Sequence, residues 1–195
     1  MNKMKKITYT LLFLLSVLMV MPATAQETLN PKRKQAIDSL ALEKVRDLSK
    51  YIIIIGSKNT PWSEANRVIN RAVELFMPGS EMGVSSLLRP QIAYYPVRRY
   101  FERLMRLNYS KVEIEWYKID YVSDLRRQPD GTYVGVITIF QKFKGYNKEG
   151  QLVYQDTTKK DVTVYVKRKE TQIGGQLVGF WDVLLGDMRV KETEK

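Results

Sequence analysis

The sequence predicts an α+β fold in which N-terminal helices pack on a curved four-stranded antiparallel sheet. In most of the first half of the chain, apolar residues recur every three or four positions, which is the period of an amphipathic helix. From Lys111 the period becomes two, which is typical of strands with one buried face. The later strands are separated by short turns that contain glycine, and such turns connect antiparallel neighbours. Helices followed by strands in this way define the α+β class.

Three helices are predicted before the strands begin. A hydroxyl followed by a proline at 60–61 is a helix-start signal, and it opens a second helix over 62–76. The stretch 80–91 loses its periodicity and predicts a loop, after which Tyr95-Pro96 opens the third helix. The first helix is predicted from an apolar face made of Ile37, Leu40, Ala41, Val45, Leu48, Ile52 and Ile55.

The four predicted strands follow one another as a meander. The first changes its apolar phase between Trp116 and Tyr117, which indicates a β-bulge that bends the strand. We expect one domain over 33–190, with a flexible N-terminus at 26–32 and a C-terminal tail at 191–195. The turns between the strands are predicted at 129–131, 147–150 and 174–175.

Residues 1–25 predict a secretory signal peptide. Three lysines precede an apolar stretch at 7–20, and the small residues Ala23-Thr24-Ala25 precede Gln26. A membrane span needs roughly 20 apolar residues, so this stretch is too short for an anchor. We therefore expect cleavage before Gln26 and no transmembrane segment afterwards.

The chain has no cysteine, which constrains the expected location. A bacterial lipoprotein carries its lipid on a cysteine directly after the cleavage site, where this chain has Gln26. Disulfides are impossible, so the domain must be stabilised by its core alone. We expect an exported protein of the periplasm or cell surface that is not lipid-anchored.

The charge of the chain is strongly basic, with 32 basic and 21 acidic residues. The predicted leader holds three of the basic residues and no acidic one, which leaves a net charge of +8. An exported protein does not meet nucleic acid, so we expect anionic envelope partners instead. The alternative is that the charge serves solubility alone.

Histidine is absent as well as cysteine, and this limits the possible chemistry. Ser-His and Cys-His catalytic pairs and ordinary zinc sites are excluded, and we expect no metal and no cofactor. A buried carboxylate remains possible as a base. The candidates on the predicted strands are Asp120, Asp161, Asp182 and Asp187. Asp182, between Trp181 and Val183, is the leading one, and a solvated or salt-bridged Asp182 is the alternative.

The order of the elements, with the stretches Asp130-Gly131-Thr132-Tyr133 and Trp181-Asp182-Val183, resembles the nuclear transport factor two-like (cystatin-like roll) superfamily. It is also similar to small exported bacterial proteins of unassigned function. The resemblance covers 33–190 and implies an α+β roll. Members of that superfamily include isomerases, dehydratases, ligand binders and structural subunits, so the resemblance leaves the activity open.

A sheet that is closed by helices can hold a pocket lined by aromatic rings, with a few polar groups that orient a ligand. The alternative is that the rings only fill the core. The candidate ligand-binding residues are Tyr95, Tyr100, Trp116, Tyr121, Trp181 and Asp182.

The third helix also carries a basic face. Arg99, Arg103 and Arg106 follow i, i+4, i+7 spacing, which aligns their guanidinium groups for carboxylate or phosphate recognition. We predict that they contact a partner, and the alternative is a solvated face. A second basic cluster on the later hairpin contains Lys159, Lys160, Lys167, Arg168 and Lys169.

These observations favour a non-enzymatic, exported protein of the bacterial cell envelope that binds a protein partner or a small apolar ligand. One alternative is an enzyme of the lyase or isomerase type with an aspartate base in an aromatic pocket. Another is a structural subunit of an envelope assembly, whose contact surface is the basic helix.

Overall fold

The structure is a computed structural model that describes residues 30–121 and 124–195. Within these residues the chain forms three helices and one sheet of seven strands, so the α+β class is confirmed. The helices are α1 (Pro31–Gly56), α2 (Trp62–Val73) and α3 (Val97–Met105). The strands are β1 (Glu81–Ser86), β2 (Arg89–Pro96), β3 (Lys111–Tyr121), β4 (Arg126–Arg127), β5 (Tyr133–Tyr146), β6 (Leu152–Ile173) and β7 (Gln176–Glu194).

The predicted meander forms one side of the sheet, with β3 at the edge opposite β2. Strands β3, β5, β6 and β7 are antiparallel neighbours in that order. The predicted bulge is confirmed, because the register of β3 against β5 shifts between Trp116 and Lys118. The last strand ends at Glu194, so most of the predicted tail 191–195 belongs to the sheet.

The prediction of four strands was too low. The stretch 80–91, predicted as a loop, contains β1 and the start of β2, and β1 pairs in parallel with β7 at Met82 and Met188. Strand β2 lies at the edge of the sheet with most of its side chains exposed. Such a strand shows no alternation of apolar and polar residues, so its pattern could not reveal it.

The first helix begins near the predicted domain start and keeps its amphipathic pattern to the end. Asn30 caps it by accepting a hydrogen bond from the Lys32 N–H at 3.0 Å. The apolar stretch 51–55 stays helical. Of the predicted apolar face, Leu40 is exposed and the other six residues are buried.

One hydrophobic core joins the helices to the sheet. Phe101 of α3 is fully buried and meets Tyr100 and Phe76 edge-to-face, with ring centroids 5.4 and 6.4 Å away. No helix among the described residues is long and apolar enough to cross a membrane. From the sheet, the core takes alternate residues of β5, β6 and β7, among them Ile137, Ile139, Val162, Val164, Val166, Val183 and Leu185.

The far ends of β6 and β7 form an exposed two-stranded ribbon. All residues from 168 to 180 are exposed, and we call this segment the arm. Glycines with positive φ, Gly174 and Gly175, form its turn, as the sequence predicts. Its exposed apolar side chains are Ile173, Leu177, Val178 and Phe180.

Candidate functional site

A cavity of about 200 Å³ lies between α3 and the sheet, at the opposite end of β6 from the arm. One side is formed by α3 and the chain that follows it, and another by the end of β1 and the turn to β2. The floor is formed by β3, β5 and the first half of β6. We refer to this space as the cavity.

The walls of the cavity are largely aromatic and aliphatic. Phe143 lies between two other rings, with centroids 5.8 Å from Tyr109 and 5.9 Å from Tyr154. Tyr109 lies flat against Gly145, where a Cβ atom would come within 2.6 Å of its ring. The glycine at this position therefore lets a cavity-lining ring contact the backbone. The aliphatic lining includes Leu104, Leu107 and Ile114.

Three polar residues of β6 face the cavity at alternate positions. Asp156, Thr158 and Lys160 are 5%, 2% and 4% exposed, although none is apolar. Successive inward positions of the same strand continue with Val162 and Val164, which fill the core. The inward face of β6 thus changes from polar to apolar after Lys160, where the cavity gives way to the packed core.

The carboxylate of Asp156 is well supplied with hydrogen-bond donors. The Tyr154 hydroxyl donates to Oδ2 at 2.5 Å, and the Thr158 hydroxyl lies 3.5 Å from Oδ1. The Leu87 N–H donates to the Tyr154 hydroxyl at 3.1 Å, which holds that phenol in place. Burial raises the pKa of Asp156, while these hydrogen bonds and the charge of Lys160 oppose the rise.

Lys160 differs from Asp156 in its hydrogen bonding, because its ammonium group has no such partners among the described residues. It makes no hydrogen bond and no ion pair with any residue that the structure describes. Burial lowers the pKa of Lys160 to about 8, against the opposing effect of the Asp156 charge. A buried cation that lines a cavity without a partner is a candidate contact for a ligand.

A further polar group is held at the cavity by an aromatic side chain. The strand register aligns Thr158, Gln141 and Trp116 in one row across β6, β5 and β3. Trp116 Nε1 donates to Gln141 Oε1 at 3.1 Å, and Gln141 is 6% exposed. This hydrogen bond orients the amide, and the Gln141 NH₂ group remains as a donor at the cavity.

Arg103 lies where the cavity meets solvent. It is exposed, and its guanidinium carbon lies 4.4 Å from the centre of the Tyr95 ring. Leu88, which is 79% exposed, lines the cavity from the β1–β2 turn. The charged groups that line the cavity are therefore Lys160, Arg103 and Asp156, which gives one positive charge in excess.

The structure brings only some of the predicted ligand-binding residues to the cavity. Tyr100 lines it directly. Tyr95 and Trp116 do not line it, but they contact Arg103 and Gln141, which do. Tyr121 belongs to β3, and its side chain lies outside the described residues.

Trp181 and Asp182 lie away from the cavity, at the base of the arm. Trp181 packs edge-on against Tyr133, with ring centroids 5.8 Å apart, in a separate polar depression. Asp182 forms an ion pair with Lys169 at 2.5 Å. For Asp182 the salt-bridged alternative is thus the one that the structure displays.

The predicted basic face is exposed, as its spacing indicated. Arg99, Arg103 and Arg106 are all exposed, and Arg106 lies over the ring of Trp62 at 5.8 Å. Only Arg103 reaches the cavity.

One lysine of the second basic cluster is buried and does not lie at the surface of the hairpin. Lys160 points inward, because it shares the face of Val162 and Val164 on β6. The alternation of these valines was the signal that could have placed both Lys160 and Asp156 inside. Charged residues are rarely buried, and this tendency favoured a surface position for both residues.

The chain matches no protein-family model, and no curated protein or solved structure shows significant similarity to it. The functional interpretation therefore depends on the cavity and on the residues that line it.

Proposed function

We propose that the protein is an exported, non-enzymatic binding protein that holds a small, largely apolar ligand in the cavity. The observation that carries this proposal is the polar row Asp156, Thr158 and Lys160, buried at the floor of a cavity with aromatic walls. Ligand sites commonly combine apolar walls with a few polar groups that fix orientation.

A purely structural role does not explain this row. Burying an ammonium group without a hydrogen-bond partner costs stability, and an apolar side chain such as methionine at Lys160 would avoid that cost. Sequences break the rules of stable packing mainly where function requires it. The row therefore favours a binding site over a packing defect.

The volume of the cavity limits the size of the ligand. An apolar cavity of about 150 Å³ holds a benzene molecule. The cavity here is about 200 Å³, which suits one ring with a short substituent. Large lipids and polymers exceed this space.

Export and the roll fold belong to the same proposal. The tripartite pattern of residues 1–25 supports export to the bacterial envelope. Helices and sheet that enclose a cavity in one α+β domain support a roll of the nuclear transport factor two-like kind.

A second candidate function is a lyase or isomerase activity with Asp156 as the base. Its buried carboxylate, with a raised pKa and a phenol 2.5 Å away, favours this candidate. Recovery of bound ligand after long incubation separates the two functions. A binding protein returns the ligand unchanged in mass spectrometry and NMR, whereas an enzyme returns a product.

Hydrocinnamyl alcohol, one ring with a short neutral chain, is a suitable probe for the binding proposal. Val84→Phe places a ring in the cavity, since Val84 lines it, and we expect calorimetric binding to fall about tenfold or more. Val178→Phe, on the exposed arm, is the matched control and leaves the affinity unchanged. Equal binding by both variants would place the ligand outside the cavity.

A further inference from the structure

We infer that the ligand of the cavity carries a carboxylate, which binds the Lys160 ammonium group while the apolar part contacts the aromatic wall. This inference rests on the proposed function and adds the chemical class of the ligand. Its central observation is that the 4% exposed Lys160 lines the cavity without a hydrogen bond or ion pair to the described residues.

The two charged groups of the floor are not equivalent. The Asp156 carboxylate already receives hydrogen bonds from Tyr154 and Thr158, and Leu87 fixes the Tyr154 hydroxyl. Asp156 therefore needs no cation from a ligand. No described residue uses the hydrogen-bonding capacity of Lys160, and an ammonium group donates up to three hydrogen bonds.

The charge around the cavity favours a singly charged anion. Lys160 and Arg103 exceed the charge of Asp156 by one, and a carboxylate restores neutrality. A doubly charged phosphate would leave a negative charge unbalanced beside Asp156. The Gln141 NH₂ group lies on the same floor as a further donor.

Arg103 defines the direction in which such a ligand enters. It is exposed at the mouth, while Lys160 is buried at the floor. An anion is therefore attracted first by the outer guanidinium and then by the inner ammonium. The ring of the ligand follows and lies between Phe143 and Leu104, both of which line the cavity.

The experiment compares hydrocinnamate with hydrocinnamyl alcohol, which have the same ring and nearly the same length. We measure calorimetric affinities at pH 7 for the parent protein, Lys160→Met and Lys159→Met. Lys159 is the neighbouring residue on the other face of β6 and pairs with Glu192 at 3.8 Å. Its replacement removes the same charge without touching the cavity.

In the parent and in Lys159→Met, we expect the acid to bind about tenfold or more tightly than the alcohol, since a charge-assisted hydrogen bond in a buried site is strong. Lys160→Met loses this preference, because the ammonium group that distinguishes the acid from the alcohol is gone. Lys160→Gln, which keeps a donor but no charge, also loses the preference.

The two proposals fail in distinguishable ways. If the parent binds acid and alcohol equally well, the carboxylate inference is wrong and the binding function stands. The inference is also overturned if Lys160→Met and Lys160→Gln both retain the preference for the acid. If the parent binds neither compound, the proposed function fails and the inference fails with it.

Discussion

Lys160 is buried on the inner face of β6, whereas Lys159 lies on the opposite face. Lys160 stands at the last polar inward position of β6, directly before the valines of the core. Neighbouring lysines at the sheet surface, such as Lys159, form ion pairs with exposed carboxylates. Surface pairs of that kind contribute little to stability, whereas a buried unpaired cation is costly.

The cost of burying Lys160 predicts a specific dependence of stability on pH. Its pKa is about 8 in the folded protein and 10.5 in the unfolded chain, so between these values the unfolded chain binds the proton more strongly. The free energy of unfolding therefore gains about 2 to 3 kcal/mol from this residue as pH rises from 7 to 10. Lys160→Met lacks this gain.

Urea titrations of the parent and Lys160→Met at both pH values test this expectation. At pH 7 the variant is the more stable protein, because an apolar side chain replaces a buried charge. At pH 10 the difference in unfolding free energy between the two proteins becomes smaller. Titrating groups away from the cavity affect both proteins alike, so their contributions cancel. A difference that stays constant with pH would show that Lys160 is hydrated or paired in the folded state.

At the scale of elements, the long periodic segments could be predicted from the sequence, and the short strand β1 and the exposed strand β2 could not. The faces of the helices, the meander and the bulge at Trp116 all follow from apolar periodicity. Strand β1 escaped prediction because it is only six residues long, and β2 because it is an edge strand with most of its side chains exposed. Their presence matters for the site, since β1 and its turn supply Val84 and Leu88 to the cavity.

The candidate site could not be predicted in full, because it is assembled from residues that lie far apart in the sequence. Tyr100 could be placed inside from the face of α3, but its neighbours Asp156 and Lys160 come from a strand more than fifty residues later. Trp181 and Asp182 shared an apolar strand with the core and nevertheless lie at the base of the arm. The register of the sheet decides this, and one sequence does not reveal it.

The arm is predicted to be dispensable for folding and for binding in the cavity. All of its residues are exposed, and Lys169 and Phe180 lie opposite each other near its base. Replacing 170–179 by Asn-Gly should create a two-residue hairpin and change the unfolding free energy by less than ~1 kcal/mol. Affinity for hydrocinnamyl alcohol should also be preserved.

Val164→Ala on the same strand is the contrasting variant, because that residue is fully buried. Truncating this side chain should lower the free energy of unfolding by about 2 kcal/mol in the same denaturant titration. If shortening the arm destabilises the domain as much as Val164→Ala does, the arm contributes to the fold through contacts with the rest of the chain.

At the scale of the whole molecule, the sheet serves two purposes along its length. One part of its inner face packs against α1 in a continuous apolar core, and the end near α3 leaves a space with polar groups at its floor. The packed part stabilises a domain that has no disulfides. The open part is free to deviate from ideal packing, which is where a ligand site is expected.

The location of a bound ligand is the most direct test of this account. Isotope-filtered NOE spectra of ¹³C-labelled protein with unlabelled hydrocinnamate report which methyl groups contact the ring. We expect contacts to Leu104 and Ile114, whose methyl groups line the cavity. Contacts to Ile173 and Leu177 of the arm instead, with none to the cavity methyl groups, would contradict the assignment of the cavity as the binding site.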